Sequence, residues 1–586
     1  MQQDMTREWV VMKFGGRSVS SVDCWKTICS QVKRNAEDGK HVLVVVSALT
    51  GVTDLLTRLC SETAPEDSGS LLSELRSRHL QLLGELGLPV PGDFRERWNE
   101  LAGLLKDRET RLLPEERTLA MAHGELLSSI IGQQALLAAG LDSNWQDARK
   151  LLDAAPESAA DILAVRCDDH VDPELGSSLS GMGRIHITQG FIASGPDGVT
   201  CLLGRGGSDT SAAYLAARLS AARLEIWTDV PGIFSADPRI VPEARLLRRL
   251  SYSEAQELAS MGAKVLHPPS IQPAQRHDVP VYIRDTNRPD EAGTCIGNRP
   301  ASEEAHVKGV VSRDNITLIR MENPSMWRQA GFLADAFAVF KRHGFSVDLI
   351  STSESTVSVS LDPQFPAHFE AGKLSAFLDD LRQLCQVSVH NGCMSISLVG
   401  NSIRTILGRL SAALDVFQDR HVHMVTQSAN DLNLTLVVDP EHALSLVRKL
   451  HQLLIASAAD NRPEFGPSWR ELTRLQMPPG SVDPWWIAKA EQLQALMSEH
   501  DSAYVYDLAS ASEAARRLAG LDAVGRVFYA VKANDHPSIL RVLFEEGLGF
   551  ECVSMEEVKH VQSVVPGLGK QDILFTPNFA PRAEYE

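Results

Sequence analysis

Two charged glycine turns carry groups that could handle phosphate: KFGGRS from Lys13, and LGRGGSDTSAA from Leu203. Breaking a phosphoanhydride requires a pocket that holds several anionic oxygens and adds stabilising charge as the bond opens. Glycine turns let backbone N–H groups approach phosphates closely, and a helix start adds the favourable end of its dipole. Lys13 precedes Gly15 and Gly16 in one turn, while Arg205, Ser208 and Asp209 stand in the other. Neither turn matches GxxxxGK[ST], so the common nucleotide-triphosphatase loop is not indicated. A third stretch, RVFYAVKANDHPSIL at 526–540, closes an aromatic and β-branched run on Lys532. A lysine at a strand end, followed by a small residue and an asparagine, calls for a separate explanation.

These residues need elements to position them. WVVMKF at 9–14 reads as a buried strand running into Gly15-Gly16 and a helix, and HVLVVVSA at 41–48 as a second strand. The stretch from about 54 to 140 has Leu, Ala, Arg and Glu at helical spacing and predicts several helices. Strands return in GRIHITQGFIAS, GVTCLLGRGGSD and ARLEIWTDVPGIFS. This alternation predicts a mostly parallel sheet with helices on both faces. Further on, residues 331–362 align without gaps to 408–439, an offset of 77 residues. Each copy follows a strand, NITLIRM or CMSISLVG, so a small α+β module stands twice in the chain. From 503 a new strand–helix rhythm begins.

Composition sets the limits. A chain of 586 residues is too long for one core. Its 44% hydrophobic and 23% charged residues are ordinary for a soluble globular protein. A net charge of −18 argues against a nucleic-acid surface but leaves room for a local phosphate site. The 9 cysteines show no CxxC or zinc spacing, which fits free thiols in a reducing cytoplasm, and no dedicated metal site is expected. There is no apolar signal core and no run suggesting a membrane span, so a cytoplasmic location is expected.

With these stretches in view, the sequence resembles the aspartate kinases of the amino-acid kinase superfamily over roughly residues 8–455. The resemblance rests on KFGG, VVSALTGVTDLL, HGELLS, TQGFIAS, LGRGGSDTSAA, WTDVPGIFSADPR and GAKVLHP, in that order. It implies transfer of the ATP γ-phosphate to the β-carboxylate of L-aspartate, with Mg²⁺ carried mainly by the nucleotide phosphates. The implied catalytic residues are Lys13, between the phosphates and the attacking carboxylate, and Asp209, which orients the lysines. Ser47, Thr53 and Ser208 would surround the substrate, Glu125 would take its amino group and Arg205 its α-carboxylate. Gly15, Gly16, Thr228, Asp229, Phe234, Asp237, Arg239 and Lys264 would form the nucleotide side. Two positions depart from the family pattern: Arg17 stands where Thr is usual, and Phe234 where Tyr is common.

The repeated module resembles a tandem pair of ACT regulatory domains, which in this family pair edge to edge across a dimer. The resemblance implies at least a homodimer, with L-lysine as effector through Met326, Phe332, Leu333, Asp348, Ser353 and Glu354. The C-terminal pieces AYVYDL, FYAVKAN, LGFECVS and ILFTPN resemble the start of the alanine-racemase-type barrel of diaminopimelate decarboxylases. That likeness implies Lys532 as the Schiff-base lysine for pyridoxal phosphate.

The expected fold is therefore α/β. It comprises a three-layer α/β/α kinase domain (1–300), two ACT domains (301–385 and 386–460), a linker or docking segment (461–500) and an incomplete (β/α) barrel (501–586). Only the first barrel units are present, so the expectation is a truncated bifunctional enzyme that is kinase-competent and lacks decarboxylase activity. Two other readings conflict with the residues present. A pure amino-acid sensor with a degenerate kinase half conflicts with the intact Lys13, Glu125, Arg205 and Asp209. A homoserine dehydrogenase fusion would need a GxGxxG turn after the repeat, and none is present.

Overall fold

The computed structural model describes residues 8–61, 67–105, 111–155, 161–263, 265–298, 305–326, 329–361, 371–406, 421–456, 462–474, 485–499, 503–521, 524–577 and 581–582. The chain divides into two compact units, Met1–Arg474 and Leu475–Glu586.

The first unit is built on an eight-stranded sheet. Its strands are β1 (Trp9–Phe14), β2 (His41–Val46), β3 (Ser143–Trp145), β4 (Ile185–Gln189), β5 (Arg223–Thr228), β6 (Arg249–Ser251), β7 (Val281–Asp285) and β8 (Thr294–Gly297). Their order is β3-β4-β2-β1-β5-β7-β8-β6, and the six from β3 to β7 run parallel. The helices that matter to the site are α1 (Val22–Glu37), α2 (Val52–Leu59), α3 (Ser68–Glu85), α4 (Gly92–Leu105), α5 (Pro114–Ala138), α6 (Pro173–Met182) and α7 (Gly207–Arg218). The helical spacing of 54–140 is realised as α2 to α5.

Every residue of β1 is buried, because both faces of the sheet are covered. Alternate side chains go to different cores. Val10, Met12 and Phe14 join residues of α1 and α5, while Trp9 and Val11 join Ala212, Ala213 and Leu215 of α7. That division is the three-layer α/β/α arrangement.

The repeat forms a second, antiparallel sheet of six strands: β9 (His306–Glu322), β10 (Val347–Thr352), β11 (Thr356–Leu361), β12 (Gln386–Asn401), β13 (Val422–Gln427) and β14 (Asn433–Val438). The order is β10-β11-β9-β12-β14-β13. Edge-to-edge pairing, expected across a dimer, is present here within one chain. β9 and β12 pair from His306↔Asn401 to Glu322↔Gln386. The far half of β9 also pairs with β11, while Met394–Val399 of β12 pairs with β14. The two copies are thus joined into one sheet by a continuous ladder between two long strands, one on each side of the 385/386 division. Sequence similarity marks the repeat unit, but it carries no information about hydrogen bonds between the copies. Residues 408–420 of the second copy lie outside the described residues.

Contacts within the unit tie the regulatory sheet to the kinase core. Lys308 Nζ on β9 lies 2.6 Å from Glu254 Oε1, both side chains at 2% exposure or less. Part of the segment read as linker or docking sequence is folded onto the core. Phe465–Ser468 pairs with Arg245–Leu247, and Trp469 meets Phe234 edge-on at 5.5 Å.

In the second unit, β15 (Phe528–Ala530), β16 (Gly549–Cys552) and β17 (Ile573–Phe575) are parallel and sequential in space. Helices Pro537–Glu545 and Met555–Val564 connect them, and Leu540, Phe550, Cys552 and Val561 share a core. This is the rhythm of a (β/α) barrel over its first units. No helix among the described residues of either unit is long and apolar enough to cross a membrane.

Candidate functional site

The carboxyl ends of β1 and β2 open onto a cavity of about 640 Å³. Lys13, Gly16, Ser47, Thr53, Glu125, Arg205, Ser208 and Asp209 line it together. The two glycine turns, nearly 200 residues apart in sequence, form facing walls.

Lys13 is 8% exposed, and its Nζ lies 2.5 Å from Asp209 Oδ1 in the first turn of α7. A buried ammonium needs such a counter-charge. Gly206 sits before α7 with φ +69, a conformation that favours glycine. A Cβ there would come within 2.8 Å of His267 Cβ, so the histidine packs directly on the turn. No side chain caps the α7 N-terminus, and Gly207, Ser208 and Asp209 of its first turn line the cavity. Gly16 passes close over β2's end, since a Cβ there would meet Ala48 O at 2.8 Å.

Glu125 lies inside the long apolar helix α5 and is 4% exposed. Burial pushes its carboxyl up to about 8, partly offset by the Ala48 amide, its own amide and the charge of Lys13. Arg205 is exposed and makes no hydrogen bond or ion pair among the described residues. His267 is held low, first by burial and then by the charge of Arg205, against the pull of Asp209.

The expected nucleotide residues are more dispersed. Gly15 N–H donates to Trp227 O at 3.1 Å, which ties the first turn to the end of β5, where Thr228 and Asp229 follow. Thr228 Oγ1 donates to Asp229 Oδ1 at 3.1 Å. Arg17, also lining the cavity, pairs with Asp229 through its guanidinium. Asp237 and Arg239 pair with each other, Arg239 Nη2 to Asp237 Oδ2 at 2.6 Å. Phe234 is buried in the core against Trp469 and, like Thr228, Asp229, Asp237 and Arg239, does not line the cavity. Lys264 lies outside the described residues.

Asp54 and Phe191 are among the lining residues that the sequence did not single out. Asp54 gave no signal beyond a polar residue in a first helical turn. Phe191 takes φ +70, uncommon for a bulky residue, and a Cβ on Gly207 would meet its ring at 2.5 Å. Its N–H donates to Ser211 Oγ at 2.8 Å, which holds this ring beneath the second turn.

In the regulatory sheet, Phe332 is buried with Met326 packed on the same core, and Leu333 is exposed. Asp348 on β10 is already engaged by the guanidinium of Arg313, which also donates to Ser260 O. Ser353 N–H donates to Thr356 O at 2.8 Å, and exposed Glu354 occupies the turn between β10 and β11. In the second unit, Lys532 is exposed in the turn after β15. Ligands of parallel sheets bind at this strand end, so an accessible amine there fits a carbonyl-bearing cofactor.

Comparison with known proteins agrees with this geometry. Residues 8–285 match the amino acid kinase family, and 508–585 match the pyridoxal-binding domain of pyridoxal-dependent decarboxylases. Lysine-sensitive aspartokinase 3 of Escherichia coli K12 is 35% identical over 464 residues, covering 76% of this chain and 99% of that protein. The crystal structure of E. coli aspartokinase III with aspartate and ADP (R-state) superposes with a TM-score of 0.65 at 33% identity, covering 76% of this chain and all of that one. Its complex with lysine and aspartate (T-state) gives 0.64 with the same identity and coverage. With this likeness spanning both sheets of the first unit, the chain belongs to the aspartokinase family.

Proposed function

We propose that this chain transfers the γ-phosphate of ATP to the β-carboxylate of L-aspartate and is inhibited by L-lysine. The observation that carries the reading is the convergence of Lys13, Asp209, Glu125 and Arg205 on one cavity beside two glycine turns. Lys13, held by Asp209, stabilises charge developing between carboxylate and phosphate. The α7 N-terminus and the Gly16 N–H take phosphate oxygens, with Mg²⁺ bound mainly through the nucleotide. Arg205 receives the α-carboxylate, Glu125 the amino group, and Ser47, Thr53 and Ser208 complete the substrate side. Thr228, Asp229, Asp237, Arg239 and Lys264 belong to the nucleotide side. The E. coli relatives crystallised with aspartate, ADP and lysine support these ligand classes.

The first regulatory copy takes L-lysine through Glu354 and Asp348, the latter by exchanging Arg313 for the ligand's ammonium. Paired ACT copies in a dimer or larger homo-oligomer transmit the effect. In the second unit, Lys532 binds pyridoxal phosphate, a group that supplies an electron sink for decarboxylation of an amino acid such as meso-diaminopimelate. The chain's own part there is to present an accessible amine at a fixed strand end.

ATP-dependent formation of aspartyl phosphate, trapped with hydroxylamine, tests the first claim. Absence of product with aspartate and Mg-ATP refutes it. For regulation, Glu354→Ala should raise the half-inhibitory lysine concentration by about tenfold or more, from loss of one charged contact. Equal inhibition of variant and wild type removes that assignment.

A further inference from the structure

The nucleotide side of the cavity contains one cation that the family pattern does not provide. Arg17 follows Gly16 in the first turn, and it lines the cavity. β1 is followed by β2 on one side, whereas β5 is flanked by β7 on the other. The loops leaving β1 and β5 therefore part in opposite directions, and the crevice between them is where parallel sheets bind ligands. Arg17 and Asp229 stand on the two sides of that crevice, beside the Gly15 to Trp227 hydrogen bond.

Their pair is made for exchange. The Arg17 side chain is 74% exposed and that of Asp229 34%, so neither is locked by packing. An exposed ion pair of this kind is weak, whereas a guanidinium fork on a polyphosphate makes strong charge-assisted bonds. Burial raises the Asp229 carboxyl, but the hydrogen bond from Arg17, its own amide and Thr228 outweigh this and hold it below the usual range. Asp229 therefore stays ionised and can hold the arginine whenever the site is empty. Lys13 is committed to Asp209 deeper in the cavity and cannot serve this outer position.

We infer that Arg17 is a phosphate-reading residue, parked on Asp229 in the free protein and transferred to the nucleotide's terminal phosphates on binding. It would make the site discriminate nucleoside di- and triphosphates from the bare nucleoside. The inference rests on the ATP site proposed above.

Calorimetric titration of wild type, Arg17→Thr and Arg17→Lys with ATP, ADP and adenosine tests it. Arg17→Thr should weaken ATP and ADP by about fivefold, the scale of one exposed charged contact, with adenosine affinity changed far less. Arg17→Lys should recover part of the loss, since it keeps the charge without the fork. In turnover, KM for ATP should rise by more than kcat falls. Equal losses for adenosine and ATP would mean that Arg17 only shapes the loop, and would overturn the inference. Unchanged ATP affinity would overturn it as well. If wild type binds no nucleotide, the proposed ATP site itself is wrong, a result distinct from either.

Discussion

Lys13 and Lys532 both stand near the carboxyl end of a parallel strand, yet their surroundings have little in common. Lys13 is 8% exposed on a strand flanked on both sides, with Asp209 at 2.5 Å and buried Glu125 in the same cavity wall. Lys532 is exposed beyond an edge strand of a three-stranded sheet and makes no ion pair among the described residues. The contrast shows what a strand end supplies and what it does not. It aims a side chain at a predictable place, but charge stabilisation also requires low polarity and fixed partners brought from elsewhere in the chain.

The largest test of that contrast is Lys13→Ala. It should lower kcat by about 10³-fold, with a much smaller change in KM for aspartate, because the ammonium acts on charge present in the transition state. Near-normal turnover would erase the difference between the two lysines. Asp209→Asn keeps the shape but removes the counter-charge, and a loss of about 10²-fold is expected. A neutral result would show that burial alone positions Lys13.

Glu125 sharpens the comparison through pH. Its carboxyl, raised to about 8, is mostly protonated at neutral pH and must ionise to pair with the substrate ammonium. Aspartate affinity should therefore rise by up to about tenfold per pH unit as pH climbs toward 8, then level off. Glu125→Gln should flatten the profile. The sign for stability is opposite: a carboxyl raised in the fold favours it at low pH, and that contribution is lost as pH rises from 4.5 to about 8. A wild-type aspartate KM independent of pH from 6 to 8.5 would remove Glu125 from the amino-group site. The smallest effect belongs to Lys532→Ala, which should leave aspartate phosphorylation unaltered. It should abolish a borohydride-reducible pyridoxal phosphate adduct at that residue, and a persisting adduct would place the cofactor on another lysine.

Much of this site could be read along the chain because its signals are local. β1 is apolar apart from Lys13 and β2 is apolar after His41, and the residues after them are small, so strand, turn and helix follow one another legibly. Lys13, Glu125, Arg205 and Asp209 were readable because each charge stands in or beside an apolar or glycine-rich stretch. What escaped depends on distance or conformation. The Arg17 pair spans 212 residues, Phe191 matters through its positive φ, and Phe465–Ser468 is a strand only because Arg245–Leu247 offers an edge. The repeat was visible, but the ladder between its copies was not. Periodicity predicts that a strand exists, whereas register is set by partners chosen in three dimensions.

That ladder also bears on how the chain could be dissected. Because β9 and β12 pair with each other along nearly their whole length, excising either copy would remove one of the two long strands and leave the other with an unpaired edge prone to self-association. Chimeras that seek to change effector response should therefore exchange 306–438 as a block. The smallest transplantable sensor in this protein is the pair.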